Sequence, residues 1–228
     1  MSSLNSDQSE GKGNARIRVL IVDDHPLVRE SLKKIIQGQP DLTVCGEAED
    51  REQALEIVRA TRPRLAIVDL TLKNSHGLEL IKDLRELFPE VQSLVLSMHD
   101  EMIHAERAIR AGARGYITKH ELPARILLAI RKILSGEIYW SEKAAARVAS
   151  KIARAAPTTT KFELLTDREM QVFQLIGSGQ STRQIAATLH IDVSTVETYR
   201  ARIKEKLDID SGLDLVRHAI NWANMPNP

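Results

Sequence analysis

Short apolar runs alternate with helical patterns through the first 140 residues of the chain. The apolar runs lie at 18–22, 42–46, 65–68, 93–96 and 114–118. Each is almost continuously apolar and has polar neighbours, which is typical of a strand buried on both faces of a parallel sheet. Apolar side chains recur at helical spacing in the intervening segments 25–37, 51–60, 78–87, 101–111 and 123–134. Five strand–helix units with right-handed crossovers predict a doubly wound α/β fold with a five-stranded parallel sheet.

The strand pattern disappears after residue 164, and helix-start signals replace it. A hydroxyl residue is followed three positions later by an acid or amide at Thr166/Glu169, Ser181/Gln184, Ser194/Glu197 and Ser211/Asp214. This spacing is that of a capping box, in which both side chains satisfy free N–H groups at a helix start. The pattern predicts a second, all-α unit of four helices, with Ser194 as the cap of the third.

The segments between these patterns predict the domain organisation. Residues 1–16 are polar and read as a disordered tail, and residues 17–137 as the α/β domain. Residues 138–163 predict a linker, with a basic, Ala-rich helix at 141–155 and a flexible connector around Pro157. Residues 164–228 then form the helical domain.

Composition narrows the class of protein without identifying it. The chain has 43% hydrophobic and 28% charged residues, and its net charge of +1 gives no global sign of a nucleic-acid partner. No stretch approaches the ~20 apolar residues needed to span a bilayer, and the N-terminus lacks a signal peptide's apolar segment. The lone Cys45 fits a reducing compartment. We therefore expect a cytoplasmic protein with no membrane partner.

Five chemically reactive side chains follow the predicted strands. Asp23 and Asp24 follow the first, and the others are Asp69, Ser97 and Lys119. The carboxyl ends of parallel strands share one edge of the sheet, where ligands collect, so these side chains should converge. Clustered carboxylates suit Mg²⁺, and a hydroxyl and an ammonium suit a phosphoryl group. Asp69 could then act as a nucleophile that becomes an aspartyl phosphate.

The motifs that carry these residues, IVDDHPLVRE, LAIVDLTL, LVLSMHDE and AGARGYITK, resemble the CheY-like, flavodoxin-like receiver domain of two-component response regulators. The resemblance covers about 120 residues in the same order. It implies that Mg²⁺ is bound by Asp23, Asp24, Asp69 and the carbonyl of Thr71. It also implies that Asp69 is phosphorylated, that Ser97 and Lys119 contact the phosphoryl oxygens, and that Tyr116 turns inward when Ser97 moves.

The helical domain contains a helix-turn-helix pattern at 181–200, whose second helix would enter the DNA major groove. That helix carries four basic residues against two acidic ones, a charge that can provide phosphate contacts. The segments LTDRE, GQSTRQIA and STVETYRARIKEKL closely resemble the LuxR/NarL-type DNA-binding domain. The resemblance places Glu197, Thr198 and Ala201 against bases. The phosphate-contacting set comprises Thr195, Arg200 and Lys204, and we add Ser194 and Arg202 from the same helix.

These features predict a phosphorylation-dependent transcriptional regulator rather than an enzyme with turnover. A sensor histidine kinase would phosphorylate Asp69 in the presence of Mg²⁺, and the regulator would then form a homodimer on double-stranded DNA. A phosphohydrolase with Asp69 as nucleophile is an alternative, although Thr71 stands where dehalogenase-like phosphatases have an acid/base Asp. A further alternative is a DNA-binding protein that acts independently of phosphorylation.

Overall fold

The structure is a computed structural model that describes residues 16–73, 75–98, 101–153 and 161–224. The predicted tail, except for Arg16, and the predicted connector around Pro157 lie outside these residues. No helix in the described ranges is long and apolar enough to cross a lipid bilayer.

The first part of the chain folds around five strands, β1 (Ile17–Val22), β2 (Leu42–Ala48), β3 (Leu65–Val68), β6 (Gln92–Ser97) and β7 (Gly115–Thr118). They form one fully parallel sheet in the order β2-β1-β3-β6-β7. A separate two-stranded antiparallel hairpin, β4 (Thr71–Leu72) and β5 (Ser75–His76), follows β3. The predicted fold class is confirmed, whereas the hairpin was not predicted because its strands are too short to show a pattern.

Five helices follow the strands of the parallel sheet and cover both of its faces. They are α1 (Pro26–Gln37), α2 (Arg51–Thr61), α3 (Gly77–Leu87), α4 (Glu101–Ala111) and α5 (Ile126–Leu134). Two apolar clusters lie on opposite faces of the sheet because successive strand residues point in opposite directions. One contains Leu20, Val68 and Val95, and the other contains Ile21, Ile67 and Leu96. This alternation fixes the register in which neighbouring strands pair, and therefore which residues lie at the strand ends.

Helix α5 begins three residues later than the predicted start at Pro123. A short 3₁₀ helix, Lys119–Glu121, precedes it, and Leu122 is extended at φ −72° and ψ 147°. Proline disfavours the helical region for the residue before it, which accounts for the extended Leu122. The helix starts at Ile126 after a turn.

A linking helix, α6 (Glu142–Ala153), packs against α4 and precedes a 3₁₀ turn at Lys161–Leu164. The residues just before α6 extend the edge of the sheet. Tyr139 forms a parallel bridge with Gly115, and its carbonyl accepts a 2.9 Å hydrogen bond from the Tyr116 N–H. The sheet edge thus involves residues just past the predicted boundary at 137, and the boundary itself stays a prediction.

The C-terminal part contains four helices, α7 (Asp167–Gly177), α8 (Thr182–Thr188), α9 (Val193–Leu207) and α10 (Gly212–Ala223). Their apolar faces enclose a separate core centred on Phe173, Ile185, Val196 and Trp222. Reciprocal capping boxes are present at Thr166/Glu169 and Ser181/Gln184, and Ser211 accepts from the Asp214 N–H.

The predicted cap at Ser194 is wrong. Helix α9 starts at Val193 and its N-cap is Asp192, whose carbonyl accepts from the N–H groups of Thr195 and Val196. His190, with a left-handed φ of 52°, turns the chain sharply after α8. The loop between α8 and α9 therefore ends earlier than predicted, and Ser194 lies within the first turn of α9.

Gly77 is the residue whose size the fold constrains most directly. A Cβ atom there would lie 2.0 Å from the carbonyl oxygen of Asp69, well inside any permitted contact. We expect Gly77→Ala to lower the free energy of unfolding by about 2–3 kcal/mol because backbone must move to accept it. Urea unfolding checks this, with Gly38→Ala as the matched control, since a Cβ there meets nothing closer than 3.4 Å. Equal stability of the two variants would contradict the expectation.

Candidate functional site

The ends of the central strands bring the predicted carboxylates together. Val22 of β1 pairs with Val68 of β3, and the Asp69 N–H donates to the Val22 carbonyl at 2.8 Å, so Asp23 and Asp69 are neighbours. Asp23, Asp24, His25 and Asp69 each offer a ligand atom, and these atoms lie within 4.8 Å of one another. We call Asp23, Asp24 and Asp69 the carboxylate cluster; their side chains are at most 4% exposed.

Lys119 provides the positive charge that this cluster needs. It directly follows β7, and its Nζ lies 2.7 Å from Asp23 Oδ2 and 2.7 Å from Asp69 Oδ2. The Lys119 side chain is only 6% exposed, so solvent screens these pairs little. Removing one partner of such a buried pair would leave an uncompensated charge, which is strongly destabilising.

Burial and neighbouring charges act in opposite directions on these groups. Burial raises the pKa of the Asp69 carboxyl to about 7, with Lys119 opposing the rise and Asp23 adding to it. Burial alone would lower the pKa of the Lys119 ammonium, but Asp69 and Asp23 outweigh it and raise that pKa. The carboxylate is therefore costly to keep charged without a nearby cation.

The other residues predicted for this site lie on β6, β7 and the hairpin after β3. Ser97 is fully buried at the end of β6, next to β3 on one side and opposite Thr118 of β7 on the other. Thr71 lies two residues after Asp69, in the hairpin that pairs it with His76. Tyr116 is buried within β7, with its ring 6.3 Å from that of Trp140, so it lies in the core rather than at the strand end.

The donor atoms of the cluster fit a hard divalent cation. Both carboxylate oxygens of Asp24 are buried and accept no hydrogen bond of good geometry, although His25 Nδ1 lies 2.6 Å from Oδ1 and His190 Nε2 lies 3.3 Å from Oδ2. A buried carboxylate normally has hydrogen-bond donors, and its lack of them suits coordination of a cation. Carboxylate and carbonyl oxygens are the ligands that Mg²⁺ prefers.

The helical part contacts this same edge of the sheet, which the sequence did not indicate. Nε2 of His190, in the turn before α9, lies 3.3 Å from Asp24 Oδ2. The Gln171 side-chain amide on α7 donates to Thr71 Oγ1 at 2.8 Å. Helix periodicity specifies which face is apolar, but no pattern in the sequence signals polar contacts between residues about 100 or more positions apart.

Asp167, the first residue of α7, anchors the contact between the two parts. Its carboxylate lies 2.8 Å from Lys82 Nζ on α3 and 3.0 Å from Arg107 Nη1 on α4. Arg107 also donates to the Phe162 carbonyl at 3.1 Å. Burial would raise the pKa of Asp167, but the Lys82 hydrogen bond and the neighbouring positive charges lower it below its usual value. The carboxylate thus stays charged and paired.

The residues predicted to contact DNA all lie on α9 and remain accessible. Ser194, Glu197, Thr198, Ala201 and Arg202 are exposed. Thr195, Arg200 and Lys204 are half-buried, and Arg200 Nε lies 3.6 Å from Glu197 Oε2. Val196 and Ile203 hold the opposite side of the helix in the core. The part of α9 that a helix-turn-helix protein presents to DNA thus faces outward.

Comparison with known proteins identifies a family for each part of the chain. Residues 19–131 match the response regulator receiver domain, and residues 163–219 match the luxR family of bacterial regulatory proteins. The chain belongs to the two-component response regulators that combine a receiver with a LuxR-type DNA-binding domain. By family it is a transcriptional regulator rather than a typical enzyme.

Individual relatives align over nearly the whole chain. Response regulator GacA of Pseudomonas viridiflava is 34% identical over 208 residues, covering 90% of this chain and 97% of that protein. Response regulator UvrY of Escherichia coli O157:H7 is 31% identical, with coverage of 90% and 94%.

Solved structures share the architecture. A LuxR-family response regulator from Aurantimonas sp. SI85-9A1 has a TM-score of 0.55 and 34% identity, covering 61% of this chain and 99% of that one. RcsB of Salmonella enterica serovar Typhimurium, bound to promoter P1flhDC with the phosphomimetic BeF3-, has a TM-score of 0.58. At 22% identity, and coverage of 90% and 99%, this second likeness shows the fold alone.

In the metal-free protein, we expect the negative charge of Asp24 to lower the free energy of unfolding. We expect Asp24→Asn to raise the free energy of unfolding by about 1 kcal/mol in EDTA, because it removes a buried charge next to two other carboxylates. Urea denaturation checks this, with Asp210→Asn on the exposed surface as the control. A variant less stable than the wild type would show that Asp24 is well compensated without a metal.

Proposed function

We propose that this chain is a phosphorylation-controlled regulator in which Asp69 accepts a phosphoryl group from a sensor histidine kinase. The observation that carries the proposal is that Asp69 and Asp23 are buried at one sheet edge, each with a carboxylate oxygen 2.7 Å from Lys119 Nζ. Asp69 lies between Asp23 and Ser97 in the strand order. Asp69 is therefore central among the strands that carry these groups.

The transfer needs only groups that the receiver holds at this edge. An Asp69 carboxylate oxygen would attack the phosphorus of a phosphohistidine, the P–N bond would break, and the imidazole nitrogen would keep the electron pair. Bound Mg²⁺, held by Asp23, Asp24, Asp69 and the Thr71 carbonyl, would supply charge neutralisation for the phosphoryl oxygens. Lys119 and Ser97 would contact the same oxygens. The chain would thus catalyse only its own phosphorylation and dephosphorylation.

Phosphorylation would be read out through residues that connect the site to the receiver surface. Lys119 would exchange its carboxylate partners for the phosphoryl group, and Ser97 would move towards it. Tyr116, on the strand beside Ser97, would take up the space that this movement opens. The result would be a shift between two receiver conformations, as in other switches driven by a local change of charge.

The DNA-binding part would use α9 as the recognition helix. Its exposed surface would place Glu197, Thr198 and Ala201 against bases. The residues proposed for the DNA backbone are Ser194, Thr195, Arg200, Arg202 and Lys204. RcsB has been solved as dimers bound to DNA, and we extend that arrangement to a phosphorylated homodimer of this chain on a two-fold site. The receiver would comprise 17–137, the linker 138–163 and the DNA-binding domain 164–228, acting in the cytoplasm where kinase and DNA meet.

Loss of the acceptor should abolish phosphorylation. We expect Asp69→Asn to incorporate no label from radioactive acetyl phosphate in Mg²⁺, because an amide is not a nucleophile of this kind. Asp210→Asn, an exposed acid on the other domain, should label like the wild type. Normal labelling of Asp69→Asn would overturn the assignment.

A phosphate contact on α9 should be visible in the salt dependence of binding. We expect Lys204→Gln to weaken DNA binding by about the same factor for all sequences and to reduce the log–log salt slope by about 1. Fluorescence anisotropy at several salt concentrations measures both quantities. Lys34→Gln on α1 changes charge equally without touching the proposed interface. An unchanged slope for Lys204→Gln would remove this residue from the interface.

A further inference from the structure

The helical domain places side chains on two residues proposed to hold the metal. His190 Nε2 lies 3.3 Å from Asp24 Oδ2, and Gln171 Nε2 lies 2.8 Å from Thr71 Oγ1. These contacts come from different elements, the turn before α9 and helix α7. Two separate elements of the domain therefore contact the metal-binding edge, rather than a single side chain.

The Asp167 anchor holds the domain in that position. The Asp167 side chain is only 10% exposed and pairs with both Lys82 and Arg107. Partly buried pairs of this kind are screened less by solvent than exposed ones, so they contribute more to docking. We call the arrangement defined by the Asp167, Gln171 and His190 contacts the docked arrangement.

The chemistry of His190 conflicts with that of a magnesium ligand. Mg²⁺ requires oxygen donors in a nearly octahedral arrangement and usually keeps several waters, so it needs free space beside its carboxylates. The His190 imidazole next to Asp24 occupies such space and supplies no oxygen. The His25 imidazole also lies near Asp24, with Nδ1 2.6 Å from Oδ1, but His25 belongs to the receiver, so only the His190 contact depends on docking. A protonated imidazole would also compete with the metal for the negative charge of Asp24, but the steric conflict exists in either protonation state.

The geometry points to mutual exclusion between the docked arrangement and Mg²⁺ binding at the carboxylate cluster, with His190 as the residue that enforces it. The inference rests on the proposed metal site and adds its regulation by the other domain. Because linkage is reciprocal, docking lowers the affinity for Mg²⁺ by the same factor by which Mg²⁺ weakens docking. His190 acts as a positioning residue that touches Asp24 rather than as a catalytic one.

The exclusion can be measured on the full-length chain without phosphodonor or DNA. Isothermal titration calorimetry with MgCl₂ gives the dissociation constant of the wild type and of His190→Gly. Glycine suits this position because His190 has a φ of 52°, so the variant removes the imidazole without backbone strain. We expect about fivefold tighter Mg²⁺ binding in His190→Gly, within the usual range of coupling between sites. His218→Ala, which removes an exposed histidine from α10, should bind like the wild type.

A second variant tests docking without changing the metal site. Asp167→Asn keeps the shape of the anchor but loses its charge, so it should also tighten Mg²⁺ binding. Small-angle scattering should show that Mg²⁺ increases the radius of gyration of the wild type. Unchanged Mg²⁺ affinity in either His190→Gly or Asp167→Asn, or a radius of gyration that does not respond to Mg²⁺, would overturn the inference.

The Mg²⁺ titrations test the mutual exclusion separately from the proposed phosphorylation of Asp69. Acetyl phosphate labelling of Asp69 tests the phosphorylation site independently of these titrations. If Asp69 is labelled and His190→Gly binds Mg²⁺ like the wild type, the exclusion fails and the proposed function stands. If the wild type and both variants bind no Mg²⁺, the inference and the metal site proposed for the receiver fail together.

Discussion

The burial of three carboxylates and one ammonium at the end of a parallel sheet is the constraint on which the rest of the structure depends. Asp23 and Asp69 are adjacent because β1 and β3 pair in register up to Val22 and Val68. Lys119 reaches both because β7 ends on the same edge. Charges this deeply buried are tolerable only when they are paired or bind a cation. The strand register, and hence the apolar alternation along each strand, therefore determines whether the site exists.

The segment after β3 connects this site to the surface. Gly77 starts α3 directly against the carbonyl of Asp69, and the His76 imidazole accepts from the Leu78 N–H to cap that helix. Thr71 pairs with His76 across the hairpin and also contacts Gln171 of the other domain. One short segment thus fixes the acceptor backbone, begins a helix and meets the second domain. A movement at Asp69 has a short covalent and hydrogen-bonded route to the domain contact.

The sequence predicted this site well because its signals are local. Each strand was visible as an apolar run, and Asp23, Asp24, Asp69, Ser97 and Lys119 lie at the ends of these runs, so the parallel topology alone implied their convergence. Thr71 and Tyr116 were expected only from the resemblance to the receiver domain. The starts of α5 and α9 were predicted less well. A turn that helical spacing does not reveal precedes α5, and the cap of α9 is Asp192, two residues after the left-handed His190, rather than Ser194. The contacts of Asp167, Gln171 and His190 left no trace in periodicity, since a polar residue on a helix looks the same whether it meets solvent or another domain.

These interdomain contacts affect how control of DNA binding should be understood. Residues on α9 proposed to read DNA are exposed or half-buried in the docked arrangement, whereas the carboxylate cluster is almost fully buried. Docking on this edge places His190 against Asp24 and Gln171 against Thr71 in the proposed input site of the receiver, while the proposed DNA-contacting residues of α9 stay accessible. Thr71, whose hydroxyl is engaged by Gln171, also offers no acid or base for turnover, so the site suits a single modification. In such a protein the second domain would limit when the receiver can bind Mg²⁺ and be phosphorylated, in addition to responding after phosphorylation.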